Sequence, residues 1–205
     1  MTRIKICGIV RAADAHAAAA AGADAIGFVL ERSPRQIGPD EVRAIVRRLP
    51  PFVRTVGVFR EADPAVVREI ARRAEVDVIQ LHGERPAAPD LDLGYPLVRR
   101  FRVEPDDTND RLRERLAAFA DSSVLLDPGA GSGIPFRWEI ARGLPGCVIV
   151  AGGLDPTNVG RAIRAARPYA VDVSTGVEDA PGIKSATKMR AFVAAVRSED
   201  DRTGA

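Results

Sequence analysis

Two segments near the end of the chain each join an apolar run to a glycine turn, a pattern suited to binding an anion. Residues 148–154 read Val-Ile-Val-Ala-Gly-Gly-Leu, and residues 171–178 read Val-Asp-Val-Ser-Thr-Gly-Val-Glu. Glycine lets backbone N–H groups approach a ligand without a side chain in the way, and a helix that follows adds the positive end of its dipole. We therefore expect a phosphate-bearing ligand at these turns, with the chemistry beside it.

Cys7 and Asp127 each end an apolar run and could exchange protons with that ligand. A thiol close to basic groups such as Lys5 or Arg35 ionises more easily and can act as a general base. The alternative is that Cys7 is a small buried apolar residue. Asp127 is either a general acid whose pKa is raised by apolar surroundings or a simple cap or loop acceptor.

Arg35 and His82 are further candidates for contact with a ligand. The guanidinium of Arg35 could hold a carboxylate through two parallel hydrogen bonds, or it could be an ordinary surface arginine. His82, within Gln80-Leu-His-Gly83, is either a hydrogen-bonded structural histidine or a proton donor. His16 lies in an alanine-rich helix and is assigned no role. Cys147 begins a predicted strand, so we expect it far from the site.

The elements that must position these residues alternate between strand and helix. Helical spacing of apolar residues fills the segments between short apolar runs, and Asp63-Pro64 and Asp155-Pro156 each place an N-cap acceptor before a proline suited to begin a helix. One repeat, Glu84 to Tyr95, is expected to be irregular because of its prolines. Eight strands are predicted, at Ile4–Cys7, Ala25–Leu30, Thr55–Phe59, Val76–Leu81, Leu97–Phe101, Val124–Asp127, Val148–Ala151 and Val171–Ser174.

Strictly alternating units with apolar strands predict a parallel α/β sheet that is covered by helices. Eight such units fit a closed (βα)8 TIM barrel, whose active sites lie at the C-terminal ends of the strands. An open doubly wound sheet is the alternative, but a single glycine, Gly8, follows the first strand instead of a glycine fingerprint. We expect one barrel domain from residue 1 to 197, and a polar, frayed tail from Ser198 to Ala205.

Composition narrows the functional class. The chain has 205 residues, 46% of them hydrophobic, and a formal charge of +2, with no basic cluster interleaved with aromatic residues. Nucleic acid is therefore an unexpected partner. The N-terminal segment is too short and too charged for a signal peptide or a membrane span, and two cysteines suggest neither a disulfide scaffold nor a zinc site. These features predict a cytoplasmic protein without a membrane partner.

An ordered set of short motifs runs along the chain from the first strand to Lys184. Together the motifs closely resemble the phosphoribosylanthranilate isomerase family of tryptophan biosynthesis. The motifs are Lys5-Ile-Cys-Gly8, Gly27-Phe28, Ser33-Pro-Arg35, Gly57-Val-Phe59, Gln80-Leu-His-Gly83, Leu125-Leu-Asp127, Gly131-Ser-Gly133, Phe136, Trp138, Ala151-Gly-Gly-Leu154, Pro156, Asn158-Val159, Val171-Asp-Val-Ser174, Gly176-Val-Glu178 and Gly182-Ile-Lys184.

The resemblance implies a barrel that isomerises N-(5-phosphoribosyl)anthranilate to 1-(2-carboxyphenylamino)-1-deoxyribulose 5-phosphate, an Amadori rearrangement. It implies that Asp127 protonates the ribose ring oxygen as general acid and that Cys7 removes the C2 proton as general base. It also implies that Arg35 contacts the anthranilate carboxylate. No metal or other cofactor is implied. Further substrate contacts are implied for Lys5, Gln80, His82 and Asp172, and phosphate contacts for Gly152, Gly153, Ser174, Thr175 and Gly176.

Some positions depart from the family pattern. The stretch Pro128-Gly-Ala130 after Asp127 is shorter than is common, and Ala130 stands where a glycine is often found. A short loop should cover the substrate less completely. Arg85, Arg137 and Thr175 also differ from the residues usual in the family.

Three other functions remain open. A related barrel activity on another phosphosugar would keep the glycine turns and change the aromatic end of the site. A phosphosugar-binding barrel without turnover would lack working acid and base groups, whereas Cys7 and Asp127 are both present. A scaffold protein has little support, because no long apolar stripe or charge repeat occurs. We expect a monomer, with a homodimer as the alternative.

Overall fold

Eight parallel strands close into a barrel in the order in which they occur in the chain. The structure, a computed structural model, describes residues 1–60, 63–83, 91–119, 122–129 and 135–204. The predicted TIM barrel and its eight strands are confirmed, with strand ends that differ from the predictions by two residues at most. The strands are β1 (Arg3–Cys7), β2 (Ala25–Val29), β3 (Arg54–Phe59), β4 (Val78–Leu81), β5 (Leu97–Arg102), β6 (Ser123–Asp127), β7 (Cys147–Val150) and β8 (Ala170–Val173).

Helices cover the outside of the barrel, and their apolar faces form one large cluster with the outward-facing strand residues. A short 3₁₀ helix, Trp138–Ala141, follows β6 in place of an α-helix, and a hairpin of β9 (Glu178–Ala180) and β10 (Ile183–Lys184) follows β8. No helix in the described ranges is long and apolar enough to cross a membrane. The helices are α1 (Ala12–Ala21), α2 (Pro39–Val46), α3 (Pro64–Ala74), α4 (Asn109–Leu116), α5 (Val159–Ala166) and α6 (Ala186–Thr203).

The two predicted helix starts have different outcomes. Helix α3 begins as predicted, because the Asp63 carboxylate accepts a hydrogen bond from the Ala65 N–H at 2.8 Å and Pro64 takes the first helical position. The start predicted at Pro156 is wrong, since α5 begins at Val159. Here the Asp155 carboxylate accepts from the N–H groups of Thr157 and Asn158 and closes a separate turn before the helix.

The prediction of a frayed tail is wrong for residues 198–203, which continue α6. Asp200 is 2% exposed, and its carboxylate accepts hydrogen bonds from the N–H and the hydroxyl of Thr2. Glu199 is buried as well and pairs with Arg164 on α5. Two buried acidic side chains therefore hold the end of α6 against Thr2, which precedes β1, and against α5. Polar composition does not reveal these pairings.

The irregular repeat predicted for residues 84–95 lies mostly outside the described residues. Its described part, residues 91–95, forms neither helix nor strand.

The barrel interior changes from apolar to charged along the strands. Val98 and Ala170 face the interior of the barrel within a small apolar cluster near the start of their strands. Two residues further along, on the same face of the same strands, stand Arg100 and Asp172. Four buried polar or charged side chains occupy this upper part of the interior, directly beneath the rim: Lys5, Gln80, Arg100 and Asp172.

Candidate active site

A cavity opens at the C-terminal ends of the barrel strands, where the sequence predicted the active site. Its wall also includes Val29, Val58 and Arg60, which sequence analysis did not select. Lys5 and Gly176 are not part of this wall. Ten of the predicted site residues line it: Cys7, Arg35, Gln80, His82, Asp127, Gly152, Gly153, Asp172, Ser174 and Thr175.

Cys7 is the last residue of β1 and faces the cavity with a buried cation behind it. The Lys5 Nζ lies 3.0 Å from both carboxylate oxygens of Asp172 on the neighbouring β8. A Cβ atom on Gly27 would lie 2.8 Å from the Cys7 Sγ and 3.1 Å from the Lys5 Nζ, so the sulfur and the ammonium group meet over this glycine.

Neighbouring groups stabilise the charged form of Lys5. Burial disfavours the ammonium form, but the negative charges of Asp172 and of an ionised Cys7 outweigh it and raise the pKa of Lys5. Lys5 therefore stands as a fixed positive charge beside the thiol. It contacts Cys7 and Asp172, and the direct substrate contact implied by the resemblance stays a prediction.

Asp127 ends β6 and is paired with two cationic or hydrogen-bonding groups. Its Oδ2 lies 3.1 Å from the Arg100 Nε and 3.3 Å from the His82 Nε2. Burial alone would raise the pKa of Asp127, but the hydrogen bond from His82 and the charge of Arg100 lower it below its ordinary value. The carboxyl group is therefore ionised at neutral pH in this site. The apolar core expected beneath Asp127 is present, since Leu125 on the same strand belongs to the apolar cluster inside the barrel, and Arg100 adds a positive charge beside the carboxyl group.

Arg100 is the residue that sequence analysis missed on this side of the cavity. Its side chain is 3% exposed, and its Nη1 also donates to the Gly83 carbonyl at 3.3 Å. An arginine inside a strand that is otherwise buried was the available signal, because a buried charge requires a partner.

Gln80 and His82 continue this group of polar side chains. The Gln80 Nε2 lies 3.1 Å from the His82 Nδ1, and Gln80 itself is 1% exposed. Its Oε1 is buried and has no hydrogen-bond partner in the described part of the chain. The His82 side chain keeps 20% of its surface accessible, whereas Asp127 keeps 7%.

Arg35 reaches the cavity from the loop after β2, but one edge of its guanidinium is already occupied. Its Nε and Nη2 donate to the two carboxylate oxygens of Glu178 at 2.8 and 2.7 Å. Glu178 also accepts from the Lys184 Nζ at 2.8 Å, and that ammonium group donates to the Ser174 carbonyl. Nη1 of Arg35 is the part of the guanidinium that this pair leaves for a ligand.

The two predicted glycine turns lie side by side at the ends of β7 and β8. Gly152 and Gly153 have φ angles of +83° and +65°, which favour glycine. A Cβ on Gly152 would lie 2.9 Å from the Asp127 Oδ1, and one on Gly176 would collide with the Leu154 carbonyl. The N–H groups of Gly152 and Gly153 donate to no acceptor among the described residues. Backbone N–H groups without an acceptor beside a cavity form a binding site for an anion.

Comparison with known proteins identifies the family. Residues 4–195 match the family described as N-(5'-phosphoribosyl)anthranilate (PRA) isomerase. The chain belongs to this family. It is 45% identical over 203 residues to N-(5'-phosphoribosyl)anthranilate isomerase of Thiobacillus denitrificans, covering 96% of this chain and 98% of the relative. The resemblance seen in the sequence motifs is confirmed.

Solved structures of phosphoribosylanthranilate isomerases have the same fold. The crystal structure from Thermotoga maritima is 36% identical, covers 97% of this chain and 100% of that chain, and gives a TM-score of 0.85. Another, in complex with reduced 1-(o-carboxyphenylamino)-1-deoxyribulose 5-phosphate, is 34% identical, covers 97% of this chain and 100% of that chain, and gives a TM-score of 0.84. The similarity extends along almost the whole chain in both cases.

Two of the departures from the family pattern concern the loop after Asp127 and Thr175. Residues 130–134 of the short loop after Asp127 lie outside the described residues, so reduced cover over the substrate stays a prediction. Thr175 lines the cavity and begins a short 3₁₀ helix, Thr175–Val177.

Proposed function

We propose that the protein isomerises N-(5'-phosphoribosyl)anthranilate to 1-(2-carboxyphenylamino)-1-deoxyribulose 5-phosphate in tryptophan biosynthesis. The observation that carries the proposal is that a thiol and a carboxyl group, Cys7 and Asp127, line one cavity together with the glycine turns after β7 and β8. Membership of the isomerase family supports the same substrate.

The reaction requires one proton to be given and one to be removed. Asp127 delivers a proton to the ribose ring oxygen, the ring opens, and the anilino nitrogen forms a Schiff base with C1. The cationic imine makes the C2–H bond acidic, and the Cys7 thiolate removes this proton to give an enolamine, which tautomerises to the ketone. Acid–base groups suffice for each step, and such groups contribute about 10²- to 10⁴-fold in rate each.

We propose one orientation for the substrate in the cavity. The phosphate lies at Gly152, Gly153 and Ser174, where the N–H groups of the two glycines have no acceptor among the described residues. Strand β3 is on the opposite side of the closed barrel from β7, and there the cavity wall is apolar at Val29 and Val58. The anthranilate ring lies against this apolar wall, with its carboxylate toward the Nη1 of Arg35 in the loop after β2.

The test is turnover by the purified protein of two aminoaldoses, phosphoribosylanthranilate and the corresponding substrate of the histidine pathway. We expect turnover of the first. Turnover of the histidine-pathway substrate alone would contradict the proposal and support a related barrel activity. No turnover of either, with tight binding of the product analogue, would indicate a phosphosugar-binding protein.

Two substitutions test the residue roles. Cys7→Ala and Asp127→Asn should each lower kcat by about 10²- to 10⁴-fold, because each removes one proton-transfer group. Binding of the reduced product analogue, measured by calorimetry, should stay within a few-fold of the wild type. Normal kcat in either variant would contradict the role given to that residue.

We further propose that the protein acts as a cytoplasmic monomer. Its two cysteines, Cys7 and Cys147, are free thiols, which suits a reducing compartment. Sedimentation analysis across a range of protein concentrations tests the oligomeric state, and a concentration-dependent dimer would contradict the monomer.

A further inference from the structure

The proposed function leaves one problem, and the inference drawn from it rests on that function. Asp127 must deliver a proton, yet Arg100 and His82 both stabilise its ionised form. The lowered pKa of this carboxyl means that few molecules carry the proton on Asp127 at neutral pH. Another group must therefore hold the proton until the substrate needs it.

Of the two side chains in the described ranges that contact Asp127, only one can give up a proton. A guanidinium, as in Arg100, releases no proton in proteins. An imidazole can both take up and release one, and the His82 Nε2 lies 3.3 Å from the Asp127 Oδ2. It is also the more exposed of the pair, with 20% of its side chain accessible compared with 7% for Asp127. His82 can therefore exchange protons with water while Asp127 stays covered.

Gln80 is placed to serve both charge states of the imidazole. When His82 is neutral with its proton on Nε2, the Gln80 NH₂ group can donate to Nδ1 across the 3.1 Å that separates the two nitrogens. When Nδ1 is protonated, half a turn of the amide presents Oε1 as the acceptor instead. In the described residues Oε1 has no partner, so it is available for this second state.

Two ion pairs lie close to His82. The carboxylates of Asp127 and Asp172 are on the cavity side. Arg100 pairs with the first carboxylate and Lys5 with the second. Gln80 contributes no charge. Each carboxylate near the ring therefore has a cationic partner of its own.

We propose that His82 is the proton relay of the active site, which takes a proton from water and passes it to Asp127. The Nε2–H bond of the imidazolium breaks, the proton forms an O–H bond at the Asp127 Oδ2, and neutral His82 keeps its proton on Nδ1. Asp127 then gives that proton to the ribose ring oxygen. The relay is restored when the Nδ1–H form takes a proton from water at Nε2.

The decisive variant is His82→Gln, which keeps an N–H donor for Asp127 but cannot carry a transferable proton. We expect kcat for phosphoribosylanthranilate to fall about 10²-fold at pH 7, with KM changed only a few-fold. The ratio of wild-type to variant kcat should rise between pH 5 and pH 7. Without His82, the reaction depends on the protonated fraction of Asp127, which falls tenfold for each pH unit. A residue that only positions Asp127 would give a ratio that does not change with pH.

The chain supplies a matched control, since it contains only two histidines. His16 is on α1, where its ring contacts the backbone carbonyls of Ala12 and Arg48. His16→Gln should keep the wild-type kcat and pH profile. Gln80→Leu leaves His82 in place and removes the acceptor for its Nδ1 proton, so it should lower kcat about tenfold with the same direction of pH dependence.

The outcomes separate this inference from the function on which it rests. Wild-type protein without turnover would contradict the proposed function. Active wild-type protein with a His82→Gln ratio that is constant from pH 5 to pH 7, or below about threefold, would overturn the relay. Should His82→Gln fail to bind the product analogue, Gln80→Leu decides: a pH-independent loss or none overturns the relay, and a loss that grows with pH supports it.

Discussion

The two sides of the cavity differ in the exposure of the groups that lie beside the proposed base and the proposed acid. On the base side, formed by β1, β2 and β8, the Lys5 ammonium is buried and pairs with the carboxylate of Asp172, which lines the cavity. On the acid side, formed by β4, β5 and β6, Asp127 shares its carboxylate between a buried arginine, Arg100, and the partly exposed His82. Each side thus holds a buried cation paired with a carboxylate, and only the acid side adds a partly exposed imidazole.

This difference follows from what each side must do. A thiolate needs a neighbouring positive charge that does not change during the reaction, and a buried ion pair provides one. A carboxyl group that donates a proton must receive a new one for each turnover, which requires contact with water. Accordingly, the cation beside the base is buried, whereas the imidazole beside the acid is partly exposed.

Breaking the buried Lys5–Asp172 pair should have the largest effect on stability. Lys5→Met leaves the Asp172 carboxylate buried without a partner, so we expect the free energy of unfolding to fall by about 3–5 kcal/mol. Urea denaturation at pH 7 measures this. The double variant Lys5→Met/Asp172→Leu should recover much of the loss, because no unpaired charge remains. A loss below about 1 kcal/mol in Lys5→Met would show that the pair is not sealed from water.

Replacing Arg100, the buried positive charge on the acid side, tests whether Arg100 and His82 act together on Asp127. Without Arg100, the pKa of Asp127 rises toward its ordinary value, because one of the groups that stabilise the carboxylate is gone. Asp127 then carries its own proton more often, and His82 matters less. We expect His82→Gln to cost about 10²-fold in kcat in the wild type but only about tenfold in an Arg100→Met background, a coupling of about 1.4 kcal/mol.

Product-analogue binding serves as the control for both backgrounds, since neither variant alters the glycine turns. Equal losses in the two backgrounds would mean that Arg100 and His82 act independently on Asp127.

The smallest expected effect is the dependence of stability on pH, which has opposite signs on the two sides. The folded-state pKa of Asp127 lies below its ordinary 3.8, so its contribution is present above that pH and is lost as the pH falls through the lower value. The pKa of Lys5 lies above its ordinary 10.5, so its contribution is present below that pH and is lost as the pH rises through the higher value.

Urea denaturation at acid and alkaline pH checks both signs. Asp127→Asn should reduce the loss of stability below pH 4 and leave the alkaline loss unchanged. Lys5→Met/Asp172→Leu should reduce the alkaline loss, because it removes Lys5. A change of the alkaline loss in Asp127→Asn, or an unchanged alkaline loss in the double variant, would contradict the division into two sides.

Those parts of the protein that depend on local patterns can be predicted from its amino-acid sequence. Apolar runs at regular intervals predicted all eight strands, and parallel strands bring their C-terminal ends to one rim. Cys7, His82 and Asp127 could therefore be assigned to one site from their positions in the chain alone. The Asp63-Pro64 start of α3 is also local, because the cap and the helix are adjacent in the chain.

Which charged side chains pair with each other depends on the folded barrel. Lys5 pairs with Asp172, 167 positions away, and Arg35 with Glu178, 143 positions away, while Arg100 unexpectedly holds Asp127. The end of α6 is ordered for the same reason, because Asp200 reaches Thr2. Periodicity reports which face of an element is buried, but it carries no information about the partner of a buried charge. That partner is fixed by the closure of the barrel, which brings distant strands into contact.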